Sequence, residues 1–191
     1  MITESELRIM AGFFPEGSSV TIKEIEKASG YSYERVYSTL MDLQKKRIVE
    51  GKKVGRTWSF NLDHRRDTSL LSFVYYGVNK KEEFEKSYRR VSKLLGEYLQ
   101  GVDVRCAVVF GSYTKGEAKK GSDVDLLLVT DDKDFEKKAL ALRHKYNLHL
   151  NPVKVLSVKS IKEENKTFFK EIRDFGVVIK GFEYFFEQVY R

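Results

Sequence analysis

Apolar positions in the first third of the chain recur at three- and four-residue spacing inside polar sequence. Val36, Leu40 and Leu43 form such a series after Ser32, and predict a helix over 33–46. Two helices precede it. Thr3 with Glu6 has the spacing of a capping box and opens a helix running to residue 14, which 15–19 break. Thr21 with Glu24 repeats the pattern and opens a short helix to residue 28, closed by Gly30. The period then changes from helical to alternating. Trp58, Phe60 and Leu62 alternate with polar residues, so 48–52 and 57–62 read as two strands around the turn at 53–56. The alternation directs Trp58 onto the helices and not toward a ligand.

Beyond residue 66 the patterns are longer. Residues 63–67 form a polar boundary in which His64, without a metal-ligand partner nearby in sequence, is expected at the surface. Residues 69–78 are apolar and aromatic, and lead into a helix predicted over 80–100, where Phe84, Tyr88, Val91, Leu95 and Tyr98 share one stripe. Two continuous apolar runs follow, 107–110 and 126–129, as expected for strands covered on both faces. A helix over 134–146, a strand over 148–156, a helix over 160–174 ended by Gly176, and a last strand over 177–180 complete the order β-loop-β-α-β-α-β. The fold class is therefore α+β: a small helical unit with a hairpin over 1–66, a connector over 67–79, and a mixed sheet flanked by helices over 80–191. Part of the apolar run over 70–76 is also available for a homodimer contact.

Composition narrows the setting. The chain has 191 residues, 41% of them hydrophobic, and a net charge of +7. That balance favours polyanionic partners. The single cysteine, Cys106, excludes an internal disulfide framework and reads as a small buried hydrophobe in a reducing compartment. The first twenty residues lack a basic segment followed by an apolar core, so no signal peptide is expected. No apolar run approaches the roughly 20 residues that span a bilayer. The helix over 80–100 carries four glutamates, which argues against a membrane role. The expected localisation is cytoplasmic.

Chemistry concentrates between the two apolar runs. Gly111-Ser112 closes the first, ten residues follow, and Asp123-Val124-Asp125 opens the second. Residues two apart in a strand point to one face, so Asp123 and Asp125 project together. Two like charges so placed favour a bound cation, and hard divalent ions, Mg²⁺ above all, suit paired carboxylates together with substrate phosphates. The Gly-Ser turn offers backbone N–H groups and a hydroxyl to those phosphates. Lys115 is a candidate for the outer phosphates. Ser122 lies at the same loop, as a contact or as a brace of the turn.

This pattern resembles the nucleotidyltransferase superfamily related to DNA polymerase β, in its minimal, largely prokaryotic form. The resemblance implies a mixed sheet carrying two Mg²⁺ ions that promote attack of a hydroxyl on the α-phosphate of an NTP, with Asp123 and Asp125 as catalytic metal ligands and Gly111, Ser112, Lys115 and Ser122 at the nucleotide. It also implies a third carboxylate on the third strand, and here the chain departs from the pattern. No Asp or Glu lies between Glu136 and Glu163; His149, Asn151 and Lys154 occupy the strand instead. Minimal members of the family include antitoxins that modify a tyrosine on a partner toxin of the HEPN type, so the acceptor ranges over a protein hydroxyl, a nucleic-acid end and a small molecule.

The N-terminal order of three helices and a hairpin resembles the winged helix-turn-helix domain, with residues 43–51 similar to the hinge between recognition helix and wing in many transcriptional regulators. The resemblance implies double-stranded DNA as partner. Ser32, Tyr33, Arg35, Tyr37, Ser38 and Lys45 are the candidate helix contacts, and Lys53 and Arg56 the wing contacts. From Lys45 to Arg66 eight basic residues face only Glu50 and Asp63, a surplus suited to a phosphate backbone. Two functions remain open at this point: a Mg²⁺-dependent nucleotidyltransferase with an attached DNA-binding domain, or a DNA-binding regulator whose second domain binds nucleotide or dimerises without catalysis.

Overall fold

Two capping boxes start the first two helices. A computed structural model of the chain describes residues 2–191. Thr3 N donates to Glu6 Oε2 at 2.8 Å at the head of α1 (Glu4–Ala11), and Thr21 N donates to Glu24 Oε2 at 2.7 Å at the head of α2 (Ile22–Ser29). Each threonine hydroxyl in turn accepts from the backbone N–H of its glutamate. Glu6 also pairs with Lys46 at 2.7 Å, tying α1 to the end of α3 (Tyr33–Lys45). That ammonium, with the Thr3 N–H, holds the Glu6 carboxyl at about 2. Helix α1 stops at Ala11 and not at residue 14, because turns occupy the residues that lead to Pro15. Helix α2 ends on Gly30, whose φ of +71° costs little without a Cβ.

Val36, Leu40 and Leu43 of α3 are fully buried, together with Ile9, Met10, Phe13, Ile25 and Phe60. They form the N-terminal core with a three-stranded antiparallel sheet in the order β1-β3-β2, made of β1 (Val20–Thr21), β2 (Val49–Val54) and β3 (Thr57–Leu62). Gly55, at φ +61°, opens the two-residue turn between β2 and β3. The Trp58 ring stacks on Phe60 at 5.9 Å, consistent with a packing role. His64 corrects its surface expectation: its ring packs 5.3 Å from Tyr190 and 6.4 Å from Phe14, and burial pulls its pKa down.

The chain divides into two units, Met1–Val78 with Tyr190–Arg191, and Asn79–Val189. Residues 67–79, expected as a connector, are helical and form the first part of α4 (Asp67–Ser87). Its apolar residues extend to the exposed Leu71 and Val78, which blurs the helical periodicity. The single helix expected over 80–100 is likewise broken. Tyr88, at φ −128° and ψ 54°, separates α4 from α5 (Arg89–Gly101).

The second unit is built on a mixed sheet in the order β6-β5-β4-β7: β4 (Cys106–Phe110), β5 (Val124–Val129), β6 (Leu150–Val155) and β7 (Val177–Lys180). β5 runs parallel to β6, and β4 runs antiparallel to both β5 and β7. Ala107, Val109, Val124, Leu126 and Leu128 share a core with Leu94, Leu95 and Tyr98 of α5 and Ala139 of α7 (Phe135–Tyr146). Cys106, Val108 and Leu127 lie on the other face and are also fully buried. Burial pushes the Cys106 thiol up to about 12, which keeps it inert. Both faces are covered, so β4 and β5 read as unbroken apolar runs.

Three helices follow β6 in the chain. Asn165 splits the expected 160–174 helix into α8 (Val158–Glu164) and α9 (Lys166–Phe175), its side-chain oxygen accepting from Phe168 N at 3.0 Å. α10 (Phe182–Tyr190) follows β7 and was not anticipated.

Candidate functional site

Where β5 begins, the apolar run gives way to alternation. Asp123 has 54% of its side chain exposed, Val124 is fully buried, and Asp125 is half-buried. The two carboxylates thus share one face at the end of the sheet, as their spacing requires. Gly111 closes the neighbouring strand β4, and Phe110 is the direct antiparallel partner of Asp125. Gly111 adopts φ +75° and ψ −149°, a region open only to glycine. A Cβ added there would stand 2.5 Å from Asp125 Oδ2. The missing side chain is therefore what lets the Asp125 carboxylate lie against the Gly-Ser turn.

The loop between the strands is ordered by its own hydrogen bonds. A one-turn helix, α6 (Ser112–Lys115), leaves Gly111, with Thr114 Oγ1 donating to Gly111 O at 3.0 Å. Ser122 braces the far end: its hydroxyl accepts from Lys119 N at 2.8 Å, and its carbonyl accepts from the Tyr113 hydroxyl at 3.3 Å. Burial first, then Tyr88 and Asp123, raise the pKa of the Tyr113 phenol, so it stays a neutral donor. Lys115 is drawn sideways, with Nζ 2.8 Å from Glu171 Oε1 on α9.

The third strand completes the site in an unexpected way. Its parallel register sets Asn151 directly beside Asp125, and Asn151 Nδ2 donates to Asp125 Oδ1 at 2.8 Å. Val124 N donates to His149 O at 2.8 Å, and this link brings His149 Nδ1 to 3.2 Å from Asp123 Oδ1. Each aspartate is thus met by one neutral or titratable partner from β6 or the residue before it. Among the described residues no group of three or more His, Cys, Asp and Glu is placed to hold a metal ion. The donor set suits one hard divalent cation, bound by the two carboxylates with substrate phosphates filling its shell. On the strand beside Asp125 the neighbouring side chain is the Asn151 amide and not a further carboxylate.

Sequence reasoning missed the contribution of α9. Phe168 meets Phe110 edge-on at 5.2 Å, and Glu171 and Phe175 follow on the same helix. Their spacing of three and four residues was the available signal.

In the N-terminal unit, Tyr33 and Tyr37 are exposed and stack one turn apart at 6.3 Å. Lys53 and Arg56 are exposed at the hairpin tip. The other candidates are exposed as well, and three of them make contacts within the unit. Arg35 Nη2 donates to Ser5 Oγ at 3.0 Å while its guanidinium lies 4.0 Å over the Tyr31 ring. Ser38 Oγ donates to Arg35 O, Lys45 pairs with Asp42 at 2.9 Å, and Ser32 sits at the N-cap of α3. A cavity of about 720 Å³ in this unit, lined by Gln44, Arg47, Asn61 and Arg65 among others, contains none of the motif residues. The chemistry of the carboxylates, not the size of that cavity, identifies the site.

Among the described residues no helix is long and apolar enough to cross a membrane. Residues 93–182 match the protein family described as polymerase beta, nucleotidyltransferase. No curated protein and no solved structure matches the chain. The matched segment runs from α5 through β7 and includes Gly111, Ser112, Asp123, Asp125, His149 and Asn151.

Proposed function

We propose, from a nucleotidyltransferase-type domain over residues 93–182, that the chain binds an NTP with one Mg²⁺ at Asp123 and Asp125 and transfers its nucleoside monophosphate to a hydroxyl acceptor. The observation that carries this reading is the packing of the Asp125 carboxylate against the bare Cα of Gly111, which joins the metal ligands to the phosphate turn. When bound, Mg²⁺ supplies charge neutralisation at the triphosphate. The chain does the rest. Gly111 admits the phosphates close to the backbone, and the Ser112 hydroxyl orients them. The acceptor oxygen attacks the α-phosphorus, the bond to the bridging oxygen breaks, and pyrophosphate leaves. His149, whose Nδ1 lies 3.2 Å from Asp123 Oδ1, is the residue at the site that receives the acceptor's proton.

The test follows label from an α-³²P-NTP into a panel of acceptors, with pyrophosphate release measured alongside. Label on an acceptor, lost in Asp123→Asn/Asp125→Asn, supports the enzyme. A second reading is favoured by one specific contact, the Asn151 amide on Asp125. There the domain binds nucleotide without transfer and informs a DNA-binding unit. Nucleotide binding with neither label transfer nor pyrophosphate release would support it.

The N-terminal unit reads as a winged helix-turn-helix, with α3 offered to the major groove and the Gly55 turn to the adjacent backbone. Lys53→Ala/Arg56→Ala is expected to weaken binding to any duplex and to lower the salt dependence by about one unit of slope per residue. Arg35→Ala is expected to lower thermal stability instead, since its guanidinium is committed to Ser5 and Tyr31. Fluorescence anisotropy with salt titration distinguishes the two.

A further inference from the structure

One flank of the carboxylate site is aromatic. Phe110 stands beside Asp125 on the next strand, and Phe168 closes on its ring from α9. Phe168, Glu171 and Phe175 share a face of that helix. Phe175 is 49% exposed, although Phe169 and Ile172 of the same helix are buried. A lone exposed phenylalanine means little. Its neighbour decides the case. The Lys115 ammonium, three residues after Ser112, lies 2.8 Å from Glu171 Oε1 and 6.0 Å from the centroid of the Phe175 ring, over its face. One cation thus covers a carboxylate and an aromatic face together, and it is carried by the turn that faces the phosphates.

We propose that Phe175 and Glu171 form the nucleobase subsite of the nucleotide held at Asp123 and Asp125, opened when Lys115 leaves them for the triphosphate. This rests on the nucleotide-binding reading above. An ion pair with partly exposed side chains is weak, so the concentrated charge of a triphosphate competes for Lys115 effectively. Its departure uncovers the ring, on which a base stacks. It also frees the Glu171 carboxylate to accept an N–H from the edge of the base, as acidic side chains do from the cytosine amino group. Guanine offers a carboxylate two adjacent donors, N1–H and the 2-amino group, whereas adenine, cytosine and uracil each offer one donor position on that edge, so the subsite favours GTP. The same swing of Lys115 couples base recognition to triphosphate binding.

The experiment is calorimetric titration of the full chain with Mg²⁺-ATP and with Mg²⁺-tripolyphosphate, which lacks base and ribose, on wild type, Phe175→Ala and Phe175→Tyr. Phe175→Ala is expected to weaken ATP by about fivefold or more and to leave tripolyphosphate within about twofold, with Phe175→Tyr restoring ATP. Glu171→Gln is expected to narrow the preference for GTP over UTP. Equal losses for ATP and tripolyphosphate would overturn the subsite, as would unchanged ATP affinity in Phe175→Ala. A rise in acceptor KM with ATP affinity unchanged would place the aromatic face on the acceptor side and also overturn it. Wild type binding neither ligand would remove the nucleotide reading itself, an outcome distinct from wild type binding both while Phe175→Ala behaves identically.

Discussion

Gly111→Ala will unfold or disarm the second unit, whereas Gly96→Ala will stabilise it. At position 111 the backbone stands at φ +75° and ψ −149°. Holding an alanine there costs on the order of 1–3 kcal/mol in backbone strain. The added Cβ also meets Asp125 Oδ2 at 2.5 Å, so either the strand shifts or the carboxylate turns out of place. The combined loss is expected to reach about 3 kcal/mol or more, and nucleotide binding falls with it. Gly96 lies in the exposed interior of α5 with nothing within 4 Å of an added Cβ. There alanine gains about 0.5–1 kcal/mol from its better helix propensity. Thermal unfolding of the two variants checks the pair. Equal and small effects would mean that Gly111 is not pressed against Asp125.

Asn151→Asp will make the second unit depend on divalent cations. In the wild type the Asn151 amide donates to Asp125 at 2.8 Å. Replacing it with a carboxylate removes that bond and crowds three acidic side chains at one end of the sheet. Like charges so close disfavour joint ionisation. The expected cost without divalent ions is about 1–2 kcal/mol near neutral pH. Mg²⁺ restores the loss by occupying the new three-carboxylate set, so its stabilising effect on Asn151→Asp exceeds that on wild type. If the chain transfers nucleotidyl groups with one ion, the same change raises the transfer rate by about tenfold or more, because the nucleophile side gains a ligand. Melting temperatures with EDTA and with Mg²⁺, and the label-transfer assay, measure both effects. A variant as stable as wild type in EDTA and no more responsive to Mg²⁺ would contradict the register of β5 and β6.

What was legible in the sequence was local. The Thr3/Glu6 and Thr21/Glu24 boxes act within four residues, and Gly30 ends α2 by its own backbone freedom. The apolar runs at β4 and β5, and the alternation that pairs Asp123 with Asp125, follow from strand geometry alone. The breaks at Tyr88 and Asn165 were missed because neither residue is proline or glycine, and both interrupt a continuing apolar stripe. The expected helix contacts on DNA were read from helical position only, so the capture of Arg35 by Ser5 and Tyr31 could not be foreseen. At the site, the absence of a third carboxylate was visible. Its consequence was not, since the Asn151 and His149 contacts need the parallel pairing of β5 with β6. The Lys115–Glu171 pair joins residues far apart in sequence, and only the packing of α9 along β4 brings them together.

The most direct measurement is calorimetric titration of ATP, GTP, CTP and UTP into the full chain, with Mg²⁺ and with EDTA, repeated on Asp123→Asn/Asp125→Asn. The expected result is one nucleotide bound per chain, dependent on Mg²⁺ and abolished in the double variant. Failure of every NTP to bind with Mg²⁺ present, or binding indifferent to both Mg²⁺ and the two aspartates, would contradict it.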